Sequence, residues 1–322
     1  MGKADLKIGV ALGGGGAAGI ACVGVLEELL AAGIRFHCVA GTSAGAVVGA
    51  ALAAGRIDEF ARIMTSLTRG RVMSLFDAVW PRSGLLAGRR GIELIQPVIG
   101  RRIEYLPMKF AAVATDLDTG DEVILEAGPV DEAIRASVAI PGIFRPHIIE
   151  GRVLVDGGLS NPVPVSVARR LGADFVIAIS MLRPSGVVEI TATTSDAATP
   201  LDPHEPLAED EDTQALHRLG EEHLGIVQIL TKGSVIVQSH IAAARFRDDP
   251  PDVFISPRAT HIGIFELMRS GEAVEAGREM GKRALPAVLQ AIEKERARRS
   301  RLSYRLRRAM GLQSKRVVTR RA

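Results

Sequence analysis

Apolar residues along this chain fall into short unbroken runs that stop at glycine-rich breaks, with longer stretches of helical periodicity between them. Short apolar runs bounded by turn residues read as buried strands, and the periodic stretches read as helices. LKIGVAL at 6–12 predicts a strand that ends in Gly13-Gly14-Gly15-Gly16-Ala17-Ala18-Gly19 and leads into a helix running to about Leu30. FHCVA predicts a second strand, which stops at Gly41-Thr42-Ser43-Ala44-Gly45 before an Ala/Val-rich helix from Ala44 to Ala54. Helical segments follow at 58–67 and 89–99, joined by FDAVWPRSGLLAG, and residues 109–127 read as two strands around a turn at Asp118-Thr119-Gly120. After a helix at 131–139, the strand Arg152 to Val155 ends in Asp156-Gly157-Gly158, a helix starts near Pro164, and a buried strand spans Asp174 to Ser180. Residues 216–246 are helical in pattern, PPDVFISPR supplies a last short strand, and 263–299 is mostly helical and increasingly charged.

Composition narrows the class. With 322 residues, 47% hydrophobic content and 34 glycines, the chain fits an α/β protein with many tight turns. The expected organisation is a core at 1–182, an acidic, Pro-containing loop at 183–215, a helical part at 216–292 that completes the same domain, and a basic tail at 293–322. The loop holds eight acids and four prolines with no Lys or Arg after Arg183, the composition of a solvated segment. The tail carries 12 Lys/Arg against 2 Asp/Glu, a net of +10, so the formal charge of +3 leaves residues 1–292 at 3 − 10 = −7. Cys22 and Cys38 lie on apolar elements without metal-ligand spacing, which predicts reduced core thiols. Glycines at 13–16 and Glu27-Glu28 break up the only stretch resembling a signal peptide, and no other reaches the roughly 18 apolar residues of a spanning helix. A cytoplasmic protein is expected.

Two strand-to-helix breaks carry the candidate chemistry. A Gly-x-Ser-x-Gly turn has glycines where a sharp reversal leaves no room for Cβ atoms, and it lifts the central hydroxyl clear of the sheet, so Ser43 is the candidate nucleophile. Alone, the motif fits an ordinary helix-capping turn almost as well. The earlier glycine loop presents backbone N–H groups at a helix N-terminus, suited to an anion. A nucleoside triphosphate is disfavoured because Gly19 is followed by Ile20-Ala21 and not by Lys-Ser/Thr. Gly14, Gly16 and Gly19 satisfy a dinucleotide fingerprint, but the second strand ends without the acid that would hold a ribose. The oxyanion of an acyl-transfer intermediate remains, needing two donors beside a serine. Two neighbouring parallel strands would bring the loop there.

A base is less obvious. The order Ser, acid, His of an α/β-hydrolase would place several strands before the nucleophile, and only two precede Ser43. His204, His217, His223, His240 and His261 sit in an acidic loop, a long helical pattern or a short connection, where surface or packing roles are usual. Asp116 and Asp118 are most simply turn acids, and Trp80, Leu85 and Leu86 read as core in preference to an acyl pocket. Asp156, at a strand end beside two glycines, is suited to close approach to a serine and equally to an ordinary turn.

Taken together, GGGAAG at 14–19, GTSAG at 41–45, SVAIPGIFRP at 137–146 and DGG at 156–158 resemble the patatin-like phospholipases, in particular compact bacterial single-domain members. The resemblance runs from about Lys7 to Ser180 and more loosely to about residue 290. It implies a three-layer α/β/α fold with a mainly parallel sheet, and a lipid acyl hydrolase with a Ser-Asp dyad and no catalytic histidine. By position Ser43 matches the nucleophile, Asp156 the base, and Gly15 and Gly16 the oxyanion donors. Gly14, Gly19, Gly41, Gly45, Gly157 and Gly158 match the motif glycines. One departure is Ala18, where the family usually has Arg or Lys, and it motivates an alternative: a lipid-binding or regulatory protein with little turnover. The expected substrate is a lipid ester, and neither metal nor organic cofactor is called for. Leu302, Leu306, Ala309 and Met310 recur among arginines at helical spacing, so residues 294–322 are a candidate contact for anionic membrane. Nucleic acid is disfavoured, because the tail offers only Tyr304 for stacking.

Overall fold

In the computed structural model, which describes residues 6–75, 77, 86–182, 226–259 and 261–309, the apolar runs assemble into one eight-stranded sheet. β1 (Ile8–Leu12) and β2 (Phe36–Thr42) are the runs that end in the two glycine-rich turns. β3 (Lys109–Asp116) and β4 (Glu122–Leu125) flank the predicted turn, β5 (His147–Ile149) and β6 (Arg152–Asp156) form a hairpin, and β7 (Phe175–Ile179) and β8 (Val253–Ile255) close the series. The order is β5-β6-β3-β2-β1-β7-β8, with β4 also paired to β3. From β3 through β8 the neighbours are parallel, whereas β4, β5 and β6 pair antiparallel.

The central strands are buried on both faces, and side-chain alternation distributes them between two layers. Ile8, Val10 and Leu12 of β1 and Phe175, Ile177 and Ile179 of β7 pack toward α1 (Ala21–Ala31), α2 (Ala44–Ala53), α3 (Ile57–Thr65) and α5 (Arg89–Ile99), with α9 (Ser270–Ala309) on the same side. Ala11, Ala40, Val176 and Ala178 face the other way, onto α7 (Val165–Arg170) and α8 (Ile226–Asp248). The product is a three-layer α/β/α fold around a mixed, mostly parallel sheet. α6 (Val130–Ser137) packs across β3 and brings its C-terminal end to the sheet edge where β2 stops.

Three features depart from the hydrophobic pattern. α4 (Arg69–Leu75) lies just ahead of the predicted connector and has a single buried residue, Val72, so it shows no apolar stripe. β5 is three residues long and none of them is fully buried, so no run marks it. The helix expected from 263 starts at Ser270, because Gly263 donates its N–H to the Glu266 carboxylate in a local turn and a 3-10 turn, Leu267–Arg269, intervenes. That helix continues ten residues past its expected end at 299, to Ala309. The acidic loop at 183–215, Trp80, Leu85, His204, His217, His223 and Met310 lie outside the described residues.

Candidate active site

Ser43 stands between β2 and α2 with φ 56° and ψ −125°. It is one of two non-glycine residues with positive φ among those described. A side chain held in that region costs of order 1–3 kcal/mol, so the surrounding structure must enforce it. Two contacts do so. The Ser43 N–H donates to Ser137 Oγ at 2.9 Å, and the Ser137 hydroxyl donates onward to the Val113 carbonyl at 2.6 Å. The start of α2 lies so close to β1 that a Cβ on Gly45 would stand 2.2 Å from the Leu12 carbonyl oxygen, and one on Gly41 would stand 2.4 Å from that of Gly45. Ser43 sits at the N-terminus of α2, where the helix dipole favours a developing negative charge.

Asp156 reaches Ser43 through the two edges of β3. β2 and β4 both pair with β3 at Ala112 and Val113, so they occupy opposite edges; β4 and β6 both pair with it at Ala114 and Thr115, so they too are opposite. β6 therefore takes over the β2 edge at the point where β2 turns away. Thr42 faces Val113 and Asp156 faces Ala114, the next residue along. The antiparallel β6 thus delivers its terminal acid beside the residue that follows Thr42.

The Asp156 side chain is buried, with 2% of its surface exposed. Its Oδ1 accepts the Gly158 N–H at 2.7 Å, while among the described residues Oδ2 has no hydrogen-bond partner. Burial pushes the carboxyl up to about 6, opposed by the nearby Ser43 hydroxyl and by the Gly158 N–H. The β6 backbone is tied down on both sides: Asp156 N donates to the Ala139 carbonyl at 2.9 Å, and the Thr115 hydroxyl donates to the Asp156 carbonyl at 3.0 Å. Gly157 lies flat on β3, where a Cβ would be 2.2 Å from the Val113 oxygen, and Gly158 abuts the Gln238 side chain of α8.

The glycine loop closes the third side. Gly13 N donates to the Ile179 carbonyl, after which the chain passes Ser43: a Cβ on Gly14 would be 3.3 Å from Ser43 Cβ and 3.8 Å from its Oγ. Gly15 has φ +140°, Gly16 φ +57°, and among the described residues the N–H groups of Gly14, Gly15 and Gly16 have no acceptor. Gly19 packs against Ala44 and joins the loop to α2. Ala18 is buried in the core cluster with Ile20 and Ala21. A residue that motif reading does not single out, Ile264, roofs the loop. Its carbonyl accepts the Ala17 N–H at 3.1 Å, and its backbone lies against Gly16. Ser137 is likewise invisible as a functional residue until α6 is placed, although it opens the SVAIPGIFRP stretch.

The other candidates lie apart from this cluster. His261 pairs with Glu272 at 2.6 Å, His147 pairs with Glu132, and His240 is exposed on α8. Asp116 accepts the N–H groups of Asp118 and Thr119 and pairs with Arg152 at 2.7 Å, which is the turn role expected of it. Leu86 is bridged to Phe144. Cys22 and Cys38 are buried free thiols, with burial pushing them up to about 12 and about 11. Among the described residues no group of His, Cys, Asp or Glu is arranged to hold a metal ion, and no helix is long and apolar enough to cross a membrane.

Residues 10–169 match the model of the family described as patatin-like phospholipase. Over 181 residues the chain is 42% identical to an uncharacterized NTE family protein of Mycobacterium tuberculosis, covering 56% of this chain and 50% of that one. A second uncharacterized NTE family protein of that organism is 32% identical over 302 residues, covering 88% of this chain and 47% of the relative. Patatin-like phospholipase domain-containing protein 7 of Rattus norvegicus is 34% identical over 185 residues, or 54% of this chain and 13% of that protein. The chain spans about half the length of the mycobacterial relatives.

Proposed function

For this chain, which belongs to the patatin-like phospholipase family, we propose a serine acyl hydrolase that cleaves fatty-acyl esters of lipids with a Ser43–Asp156 dyad. The observation that carries the reading is a buried carboxylate oxygen without a partner among the described residues, Asp156 Oδ2, beside a serine held in a strained strand-to-helix turn. A carboxyl at about 6 is largely ionised at neutral pH, yet it is a better proton acceptor than an exposed aspartate, the compromise a general base requires.

Asp156 takes the Ser43 proton as Oγ attacks the ester carbonyl carbon. The resulting oxyanion is received by the unpaired N–H groups of Gly15 and Gly16. Collapse of the intermediate expels the alcohol, which takes the proton from Asp156 and leaves an acyl-enzyme at Ser43. Water then gives a proton to the same carboxylate as it attacks the acyl carbon, and the fatty acid leaves with Ser43 restored. Because a carboxylate is a weak base for a hydroxyl, the loop donors carry much of the stabilisation, each worth about 3 kcal/mol in comparable sites. The hydroxyl network through Ser137 fixes the Ser43 backbone and leaves its Oγ free for the chemistry.

The test is labelling with an active-site fluorophosphonate, read by intact mass and peptide mapping, on the wild type, Ser43→Ala and Asp156→Asn. One adduct on Ser43, absent from Ser43→Ala and strongly slowed in Asp156→Asn, is expected, together with release of fatty acid from a phospholipid or lysophospholipid panel. A folded wild type that takes no label and releases no fatty acid would overturn the reading in favour of a lipid-binding role without turnover.

A further inference from the structure

α8 enters the fold in an unusual way. Its C-terminal half is a core helix: Ala242 and Phe246 are buried, and Arg245 donates to the Ser160 carbonyl at 3.2 Å. The chain then returns to the sheet at its far edge, where Arg169 pairs with Asp249 and the Asp252 carboxylate accepts the Val176 N–H. The helix thus runs antiparallel to β7, from the edge that holds the dyad to the opposite one. Gln238 is the residue level with Gly158. The twelve residues before it, at 1.5 Å each, carry the helix about 18 Å past the sheet on the dyad side.

That projecting half is apolar, and among the described residues nothing covers it. Ile229, Leu230, Val235, Ile236 and Val237 are between 44% and 60% exposed. At 100° per residue, Ile229, Leu230, Gly233, Ile236, Val237 and His240 share an arc of about 120°; Ser234 and Gln238, which turn inward, lie beyond one border of it, and Val235 lies on the far side. From Ile226 to Val237 this half contains one cation, Lys232, and no acid. Met268, exposed on the turn that follows Ile264, adds a second apolar point at the same edge. A face of exposed aliphatic residues with a cation beside it and no carboxylate matches the outer part of a bilayer that contains anionic lipid.

The basic tail is the competing element, and its position counts against it. α9 runs parallel to α1, with Gly277 against the Ala21 carbonyl and Lys282 near Glu28, and so leads away from the dyad. Arg299 pairs with Asp174 at 3.0 Å, at the edge where β1 and β7 begin. The tail leaves the fold about 44 Å along that helix from Ser270.

We propose that the projecting N-terminal half of α8 is the element that docks the protein on an anionic lipid surface, seating the Ser43–Asp156 edge against it. This rests on the lipid-hydrolase reading only for its purpose, since docking is measured without turnover. The experiment compares the full-length wild type with Leu230→Asp/Ile236→Asp and with Arg305→Glu/Arg307→Glu/Arg308→Glu. Cosedimentation uses vesicles of phosphatidylglycerol and phosphatidylcholine, with a soluble short-chain p-nitrophenyl ester as a separate activity readout and sedimentation velocity to follow oligomeric state. The α8 variant is expected to lose at least tenfold in vesicle partitioning and in release of fatty acid from vesicles while keeping its rate on the soluble ester; the tail variant is expected to bind within about threefold of wild type. Wild-type partitioning by the α8 variant would overturn the proposal, whether the tail variant is the one that fails to bind or the α8 substitutions instead dissociate a dimer. Failure of the hydrolase reading is a different result, an inactive wild type on both esters, and leaves the binding comparison intact.

Discussion

The Asp156 carboxylate should destabilise the protein it serves. Its ordinary value is 3.8, and burial raises it to about 6 in the folded state. A raised carboxyl stabilises the fold only while protonated: the contribution is fully present below about pH 4 and is lost as pH climbs through about 6. At about 1.4 kcal/mol per unit, the ionised group costs on the order of 3 kcal/mol above about pH 7, of which about 1.4 develops between about pH 5 and about pH 8. Asp156→Asn keeps an oxygen for the Gly158 N–H and removes the ionisation. The variant should therefore be inactive yet more stable than the wild type, with the gain growing by about 1.4 kcal/mol from about pH 5 to about pH 8. Urea unfolding of both proteins at the two pH values measures it, with slopes of unfolding compared to confirm equal exposure. A difference that does not change with pH would refute the claim that burial has raised this carboxyl, and with it the account of Asp156 as a base tuned toward neutrality.

Three further outcomes follow from the same geometry. The rate on a soluble ester, as kcat/KM, should rise about tenfold per pH unit below about pH 6 and level off above it, because Asp156 must be ionised to accept the Ser43 proton; a flat acid limb would contradict this. Ser137→Ala leaves the buried Ser43 N–H without its acceptor, at a cost of about 1–3 kcal/mol, so thermal unfolding should drop by several degrees and kcat by about tenfold with KM little changed. Gly15→Ala puts a side chain at φ +140° and against Met181, at 2.8 Å, so kcat should fall by at least about 100-fold along with fluorophosphonate labelling, while circular dichroism stays that of a folded protein.

Local chemistry made much of this protein readable in advance. The runs that became β1, β2, β3 and β7 are continuous because both of their faces are covered, and their helices carry ordinary periodicity, so the α/β alternation is written in nearest-neighbour pattern. The strand-to-helix turn around Ser43 is legible for a similar reason: Gly41 and Gly45 stand where the chain passes within contact distance of other backbone, and only glycine fits. Elements lacking such a signature, α4 with one buried residue and the three-residue β5, are not visible in the pattern.

What the tertiary structure alone decides is everything that depends on contacts between distant residues. Nothing near Asp156 in sequence distinguishes an exposed turn aspartate from one buried beside Ser43; the burial arises because β6 succeeds β2 along one edge of β3, which brings together residues 113 apart in the sequence. The Ser137 hydroxyl under Ser43 and the Ile264 backbone over Gly16 are set by the docking of α6 and of the segment before α9, which no periodicity reports. Orientation is decided the same way. Composition makes the basic tail a candidate for lipid, and it is the direction in which each helix leaves the sheet that puts α8 beside Ser43 and Asp156 and the tail at the far edge.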